Sequence, residues 1–233
     1  GRVVEEFDNL TTKRGKANVK TLVNASSTLI RVEDSGGTIE QPARGEVQLH
    51  GGASSSPARV GADDYIGDVS DRSGFGGLEA IDAVTMLCVP DLMSAHQQGM
   101  VDAEGVKAVQ LAMIAHCENM GDRVAIIDPP PNLNAQQIRD WRIDQAGYDS
   151  KYAALYWPWV KVFDPSTAEN VHIPPSGYMA GVWGRNDDTR GVHKAPANEV
   201  VRGAIDLQLQ ITKQEHDLLN PHGINCLRAF PDR

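Results

Sequence analysis

Short apolar runs alternate with longer amphipathic stretches between residues 84 and 157, and this alternation restricts the possible folds more than any other feature of the chain. Val84-Thr-Met-Leu-Cys-Val89 is a continuous apolar run closed by Pro90, as expected of a strand covered on both faces. A helix is predicted over 102–120, because Val106, Val109, Met113, Cys117 and Met120 recur at steps of three and four and Gly121 supplies a stop. Arg123-Val-Ala-Ile-Ile127 reads as the next strand, ended by Asp128 and the prolines 129–131. A second helix is predicted over 134–146, with Ile138, Trp141 and Gln145 along one side and Gly147 after it, followed by a strand over 152–157. Strand, helix, strand, helix, strand in that order implies a mixed α/β fold whose central sheet is largely parallel and flanked by helices.

The flanks divide the chain into three regions. Within 1–33, the apolar and β-branched stretches 19–24 and 28–32, joined through Ala25-Ser-Ser27, predict two strands in a hairpin or bend. Residues 34–80 hold Asp34-Ser-Gly-Gly37, Gly51-Gly-Ala-Ser-Ser-Ser-Pro57 and Gly74-Phe-Gly-Gly77 and keep no helical period, so an irregular Gly/Ser-rich loop or inserted region is expected. The main α/β core is assigned to 81–233. Its later part predicts a helix over 176–185 capped by Ser176, some strand within 199–211, and a last strand over 224–230. Between these, 212–220 reads as a helix in which Thr212 and Glu215 form a capping box and which Pro221 ends.

Composition excludes several classes. A chain of 233 residues suits one large domain or a domain with an insertion. Its 22 basic against 31 acidic residues give a net charge of −9, which argues against nucleic acid or an anionic membrane as partner. No apolar run approaches the ~18–20 residues of a membrane span. Cys88, Cys117 and Cys226 are odd in number and lie in apolar surroundings, which suits buried free thiols better than a disulfide framework. No CxxC, HExxH or paired Cys/His spacing suggests a metal, and no cofactor motif is found. Gly74-Phe-Gly-Gly77 lacks the preceding strand and the Lys-Ser/Thr of a phosphate loop, and Lys13-Arg14 with Lys16 is too small a basic patch for nucleic acid.

Catalytic candidates are few. Ser176 stands where a loop enters a helix, yet no Gly-x-Ser-x-Gly elbow surrounds it, and helix capping accounts for it without chemistry. Among the seven histidines, His193 in Gly191-Val-His-Lys-Ala-Pro196 is the most interesting, with a loop-ordering hydrogen bond as its expected role. Asp128 closes a strand at the carboxyl edge of the expected sheet, where ligand sites of α/β folds gather, but it also suits a turn before three prolines. The residues alone support no catalytic set.

Four further segments occur in order: Tyr156-Trp-Pro-Trp-Val-Lys-Val-Phe-Asp164, His172-Ile-Pro-Pro-Ser-Gly177, Thr189-Arg-Gly-Val-His-Lys-Ala-Pro-Ala-Asn198 and Leu218-Leu-Asn-Pro-His-Gly-Ile-Asn225. Together they resemble the tail sheath proteins of contractile phage tails and related contractile injection systems, over about 84–228. Val4-Glu-Glu-Phe-Asp-Asn9 and residues 21–32 fit that family less specifically. The resemblance implies a subtilisin-like core that is structural and not enzymatic. It also implies hexameric rings of the subunit stacked around an inner tube, with terminal arms that add strands to neighbouring copies. Contraction then drives the tube through a target envelope, in a particle assembled in the producing cell's cytoplasm with baseplate and cap proteins. The family continues beyond Asn225-Cys-Leu-Arg228 into another strand and an arm. That departure, with the start at Gly1-Arg2, leads us to expect a piece of a longer polypeptide. Within the family frame, Arg190, His193, Lys194 and Asn198 are expected to fix a structural loop, and Lys213, Glu215 and Asp217 are candidates to face the tube. The competing expectation is an α/β hydrolase or degenerate subtilisin-like serine protease using Ser176.

Overall fold

A computed structural model describes residues 4–33 and 60–230 of the chain, which divides into two compact units, Gly1–Ser55 and Ser56–Arg233. In the first unit, helix α1 (Val19–Ser26) replaces the strand expected over 19–24. Asn18 explains the outcome: its side chain accepts from the Thr21 N–H and caps the helix. Residues 28–32 form no strand either. Asn24 both donates to the Val32 carbonyl and accepts from its N–H, while Glu5 accepts from Ser27 and Thr28, so side chains satisfy backbone groups that a ladder would otherwise use.

The second unit begins with structure that the turn-rich composition hides. Helix α2 (Ala62–Ile66) and a 3-10 helix (Gly76–Ala80) lie where no helical period was expected. Gly67 and Gly74 both have positive φ, and a Cβ on Gly67 would stand 2.1 Å from the Ser73 carbonyl oxygen. The two backbone segments can touch only because both residues are glycine. Val60, Tyr65, Ile66, Phe75 and Leu78 pack into the main core.

The chain then runs through β1 (Met86–Leu87), α3 (Asp91–Gln97), α4 (Ala103–Met120) and β2 (Val124–Ile127). After these come α5 (Ala135–Asp140), which passes into a π turn (Trp141–Ala146), and β3 (Ala153–Trp157). Helix α4 is capped by Asp102 and stopped by Gly121 in the left-handed conformation, as its pattern predicts. The π turn changes the second helix: Ile138 and Trp141 are buried as expected, but the next buried position is Ala146, and Gln145 is exposed. A wider turn advances the buried face by one residue.

Strands pair in the order β1-β2-β3-β7, all parallel, where β7 is Ile224–Cys226. Both outer strands are shorter than the runs 84–89 and 224–230 suggest. Period-two alternation builds a core on each face. Ala125, Ile127, Leu155 and Trp157 join Val106, Val109, Met113, Cys117 and Ile138 on one side. Ile126 and Tyr156 meet Met179 and Val182 of α6 (Ser176–Arg190) on the other. Each Val, Leu, Ile or Met among these, fully buried, contributes about 1.5–3 kcal/mol.

A second sheet, order β5-β4-β6, is antiparallel and consists of β4 (Val160–Asp164), β5 (Glu169–Ile173) and β6 (Asp206–Leu207). The sequence reading missed the β4–β5 hairpin, and of the strand sought within 199–211 only two residues form. Helix α7 (Lys213–Leu219) carries the expected capping box: the Glu215 N–H donates to Thr212 Oγ1 at 3.2 Å, and the Glu215 carboxylate accepts from the Thr212 N–H at 2.7 Å. Thr212→Ala is expected to cost about 1 kcal/mol in urea unfolding, and an unchanged midpoint would remove the cap from the stability account.

Candidate functional site

The best-defined polar constellation lies where the carboxyl end of β2 meets the start of α6. Asp128 is buried, and its carboxylate accepts from the Ser176 N–H at 2.9 Å and from the Ser176 hydroxyl at 2.5 Å. Pro175, and not Ser176, occupies the cap position, and Ser176 is the first helical residue. This corrects the expectation that Ser176 caps its own helix. The cap comes from across the sheet, where a carboxylate satisfies an N–H that an α-helix leaves unpaired at its first turn.

Burial pushes the Asp128 carboxyl up to about 7, against the two Ser176 hydrogen bonds that pull it down. Cys88, at the end of β1, has its thiol raised by burial and further by the charge of Asp128. From α4, the Gln110 side chain donates to the Asp128 carbonyl at 2.7 Å and accepts from the Tyr148 hydroxyl at 2.8 Å. Ser176 has no exposed surface and its hydroxyl is spent on Asp128, so a substrate carbonyl has no approach to it. Among the described residues no histidine bonds to Ser176, and no group of three or more metal-binding side chains gathers.

The segment expected to form a structural loop starts on α6, whose last residue is Arg190, and only its remainder from Gly191 to Asn198 lies beyond the helix. Arg190 pairs with Glu199 at 3.0 Å, the Lys194 ammonium donates to the Ala195 carbonyl at 2.7 Å, and Asn198 takes a left-handed conformation at φ 59°. His193 lies against Gly191, where an added Cβ would come within 2.9 Å of its Nδ1. One residue that the sequence reading missed also holds the loop: Asn186, buried on α6, donates to the Lys194 carbonyl at 2.5 Å. An amide four residues after Val182, on the face of α6 that also buries Met179, was the available signal.

On α7, Lys213 and Asp217 are exposed, and Asp217 lies 3.5 Å from His216. Glu215 turns its carboxylate back to Thr212. The structure thus leaves the loop residues and the helix residues as separate sets. Among the described residues, β1 and β7 bound the parallel sheet, while β5 and β6 bound the antiparallel one. Cys117 is buried, Cys88 and Cys226 are half-buried, and all three thiols are free. Among the described residues, no helix is long and apolar enough to cross a membrane.

A four-stranded parallel sheet with helices on both faces, joined to a smaller antiparallel sheet, places the chain in the mixed α/β class, with Ser176 buried against Asp128. Residues 58–233 match the family model of the phage tail sheath protein central domain, and the chain belongs to that family. No curated protein matches it. It is similar to the anti-feeding prophage helical sheath in its contracted state, with 30% identity over 68% of this chain and 41% of that one, at a TM-score of 0.49. It is also similar to the sheath complex of the extracellular contractile injection system PVC in its contracted state, with 31% identity, 53% and 34% coverage and a TM-score of 0.46. A third likeness is to the anti-feeding prophage baseplate, with 32% identity, 57% and 33% coverage and a TM-score of 0.45. The chain spans between a third and two fifths of the length of these proteins.

Proposed function

We propose that this chain is the core of a contractile sheath subunit, subtilisin-like in topology and without enzymatic activity. Copies of it stack as hexameric rings around an inner tube, and contraction of the rings drives the tube through a target envelope. Terminal arms add strands to open sheet edges of neighbouring copies, so that backbone hydrogen bonds hold the mesh while the bodies rearrange. Baseplate and cap proteins close the ends, and assembly takes place in the cytoplasm of the producing cell. The single observation that carries this reading is the sheath family match across 58–233. Electron microscopy of the full-length protein tests it: long ringed cylinders are expected, and persistent monomers with the tube protein present would overturn it.

The burial of Ser176 supports the non-enzymatic part. A serine-directed fluorophosphonate is expected to leave the protein unlabelled. Labelling that disappears in Ser176→Ala would revive the hydrolase. Arg190, His193, Lys194 and Asn198 act in this reading as a loop support, and Lys213, Glu215 and Asp217 face the tube. Because Glu215 also caps its helix, Lys213→Glu and Asp217→Lys are the cleaner charge reversals. Both are expected to weaken sheath–tube co-assembly, and unchanged co-assembly would remove α7 from the interface.

A further inference from the structure

The basic cluster too small for nucleic acid is built into a tied turn. The Thr11 N–H donates to the Ala17 carbonyl at 2.9 Å and the Val19 N–H to the Thr11 carbonyl at 3.0 Å, while the Asn18 side chain donates to the carbonyls of Thr12 and Lys13. These bonds close the base of the turn and leave Lys13, Arg14 and Lys16 exposed at its tip, with no ion pair among the described residues. Three unpaired cations on a braced turn are notable in a chain of net charge −9. Their fixed spacing lowers the ordering cost of any contact they make.

The second unit offers the complementary surface. A cleft of about 720 Å³ opens between the first half of α4 and the π turn. Its volume falls within the range of ~300–1,000 Å³ that holds small ligands, so a pair of long side chains fits. Glu104 and Asp144 line it and have no ion pair or hydrogen bond of their carboxylates among the described residues. Asp140 is held by Arg139 at 3.1 Å, and the Lys107 ammonium is turned to the Gln145 carbonyl. Val106, Leu133 and Trp141 form an apolar floor, which suits the aliphatic stems of lysine and arginine.

We propose that the basic turn 13–16 of one copy docks into the Glu104/Asp144 cleft of a neighbouring copy, as a head-to-tail contact that generates an open assembly and not a closed dimer. The occupant is a second copy of this chain, whose exposed cationic tip is opposite in charge to the Glu104 and Asp144 carboxylates. Restoration on mixing the two reversed variants is the result that a contact within one chain would not give. The contact deepens the sheath reading and rests on it for its biological setting. Charge complementarity of this kind sets register and partner choice and fades with salt.

Self-association of full-length chains carrying two different tags, measured at about 50 mM and about 500 mM salt, tests the contact. The wild type is expected to associate at low salt and to lose about tenfold or more at high salt. Lys13→Glu/Arg14→Glu/Lys16→Glu alone and Glu104→Lys/Asp144→Lys alone are each expected to lose self-association, and mixing the two variants is expected to restore it. Neutral Lys13→Gln/Arg14→Gln/Lys16→Gln should lose the salt dependence with an unchanged melting temperature. Wild-type association in the reversed variants, or loss that mixing does not recover, overturns the docking. Ringed cylinders assembled from charge-reversed chains overturn this contact and leave the sheath reading standing. Swap-dependent pairing without cylinders does the opposite.

Discussion

Asp128→Asn is expected to make the protein more stable than wild type at pH 8 and to lose that advantage by pH 5. Among the described residues the buried carboxylate has no cationic partner, only the N–H and hydroxyl of Ser176; the Gln110 amide bonds the Asp128 backbone carbonyl, and the half-buried Cys88 thiol lies nearby. Desolvation therefore outweighs the hydrogen bonds and raises its pKa from 3.8 to about 7. A carboxyl with a raised folded-state pKa contributes stability that is fully present below its unfolded pKa. That contribution falls as pH rises towards the folded value and is lost above it. Between about pH 4 and pH 7 the native state should thus lose on the order of 3–4 kcal/mol through this one group. Asparagine keeps an oxygen for the Ser176 N–H and offers an amide to the hydroxyl, so the junction survives without the charge. All four tryptophans lie in the second unit, so tryptophan fluorescence during urea unfolding reads the relevant transition. The difference between variant and wild type isolates Asp128 from the other carboxylates. Parallel pH profiles for the two proteins would show that Asp128 does not titrate in this range.

The same junction marks the limit of what could be read from residues alone. Helix α4 and strands β2 and β3 were legible because each carries a period or an unbroken apolar run with a stop residue at its end. Helix α1 was not, since Val19, Thr21 and Val23 favour strands by composition, and the deciding group is the Asn18 side chain just outside the segment. Lys161 and Phe163 alternate with the buried Val160 and Val162, a weak period-two signal that the neighbouring prolines and tryptophans mask. Asp128 and Ser176 were each noticed separately. Their contact spans 48 residues of chain and exists because the parallel crossover brings the end of β2 beside the start of α6. No local pattern encodes such a meeting. The same holds for Asn186 and the Lys194 carbonyl, and for the acidic cleft, whose walls come from two helices.

The link between the two sheets sets the largest expected loss. Trp159 sits between β3 and β4, is 1% exposed and donates its indole N–H to the Pro129 carbonyl at 3.0 Å. Its own carbonyl accepts from the Gln208 N–H at 2.8 Å, which ties the β6 region to the same point. Trp159→Ala removes a large buried ring and strands the Pro129 carbonyl, and it is expected to cost about 3–5 kcal/mol. Against a typical total of about 5–15 kcal/mol, that is a large share of the stability. Trp159→Phe keeps most of the ring and loses the hydrogen bond, for an expected cost of about 1–2 kcal/mol. The gap between the two variants separates packing from hydrogen bonding. If packing dominates, the alanine variant should also detach the hairpin β4–β5 from the body, so that its amide hydrogens exchange faster than those of β2 and β3. Equal costs for the two substitutions would assign the role of Trp159 to its N–H. Uniform exchange across both sheets would show that they unfold as one unit, with no separate hinge at this residue.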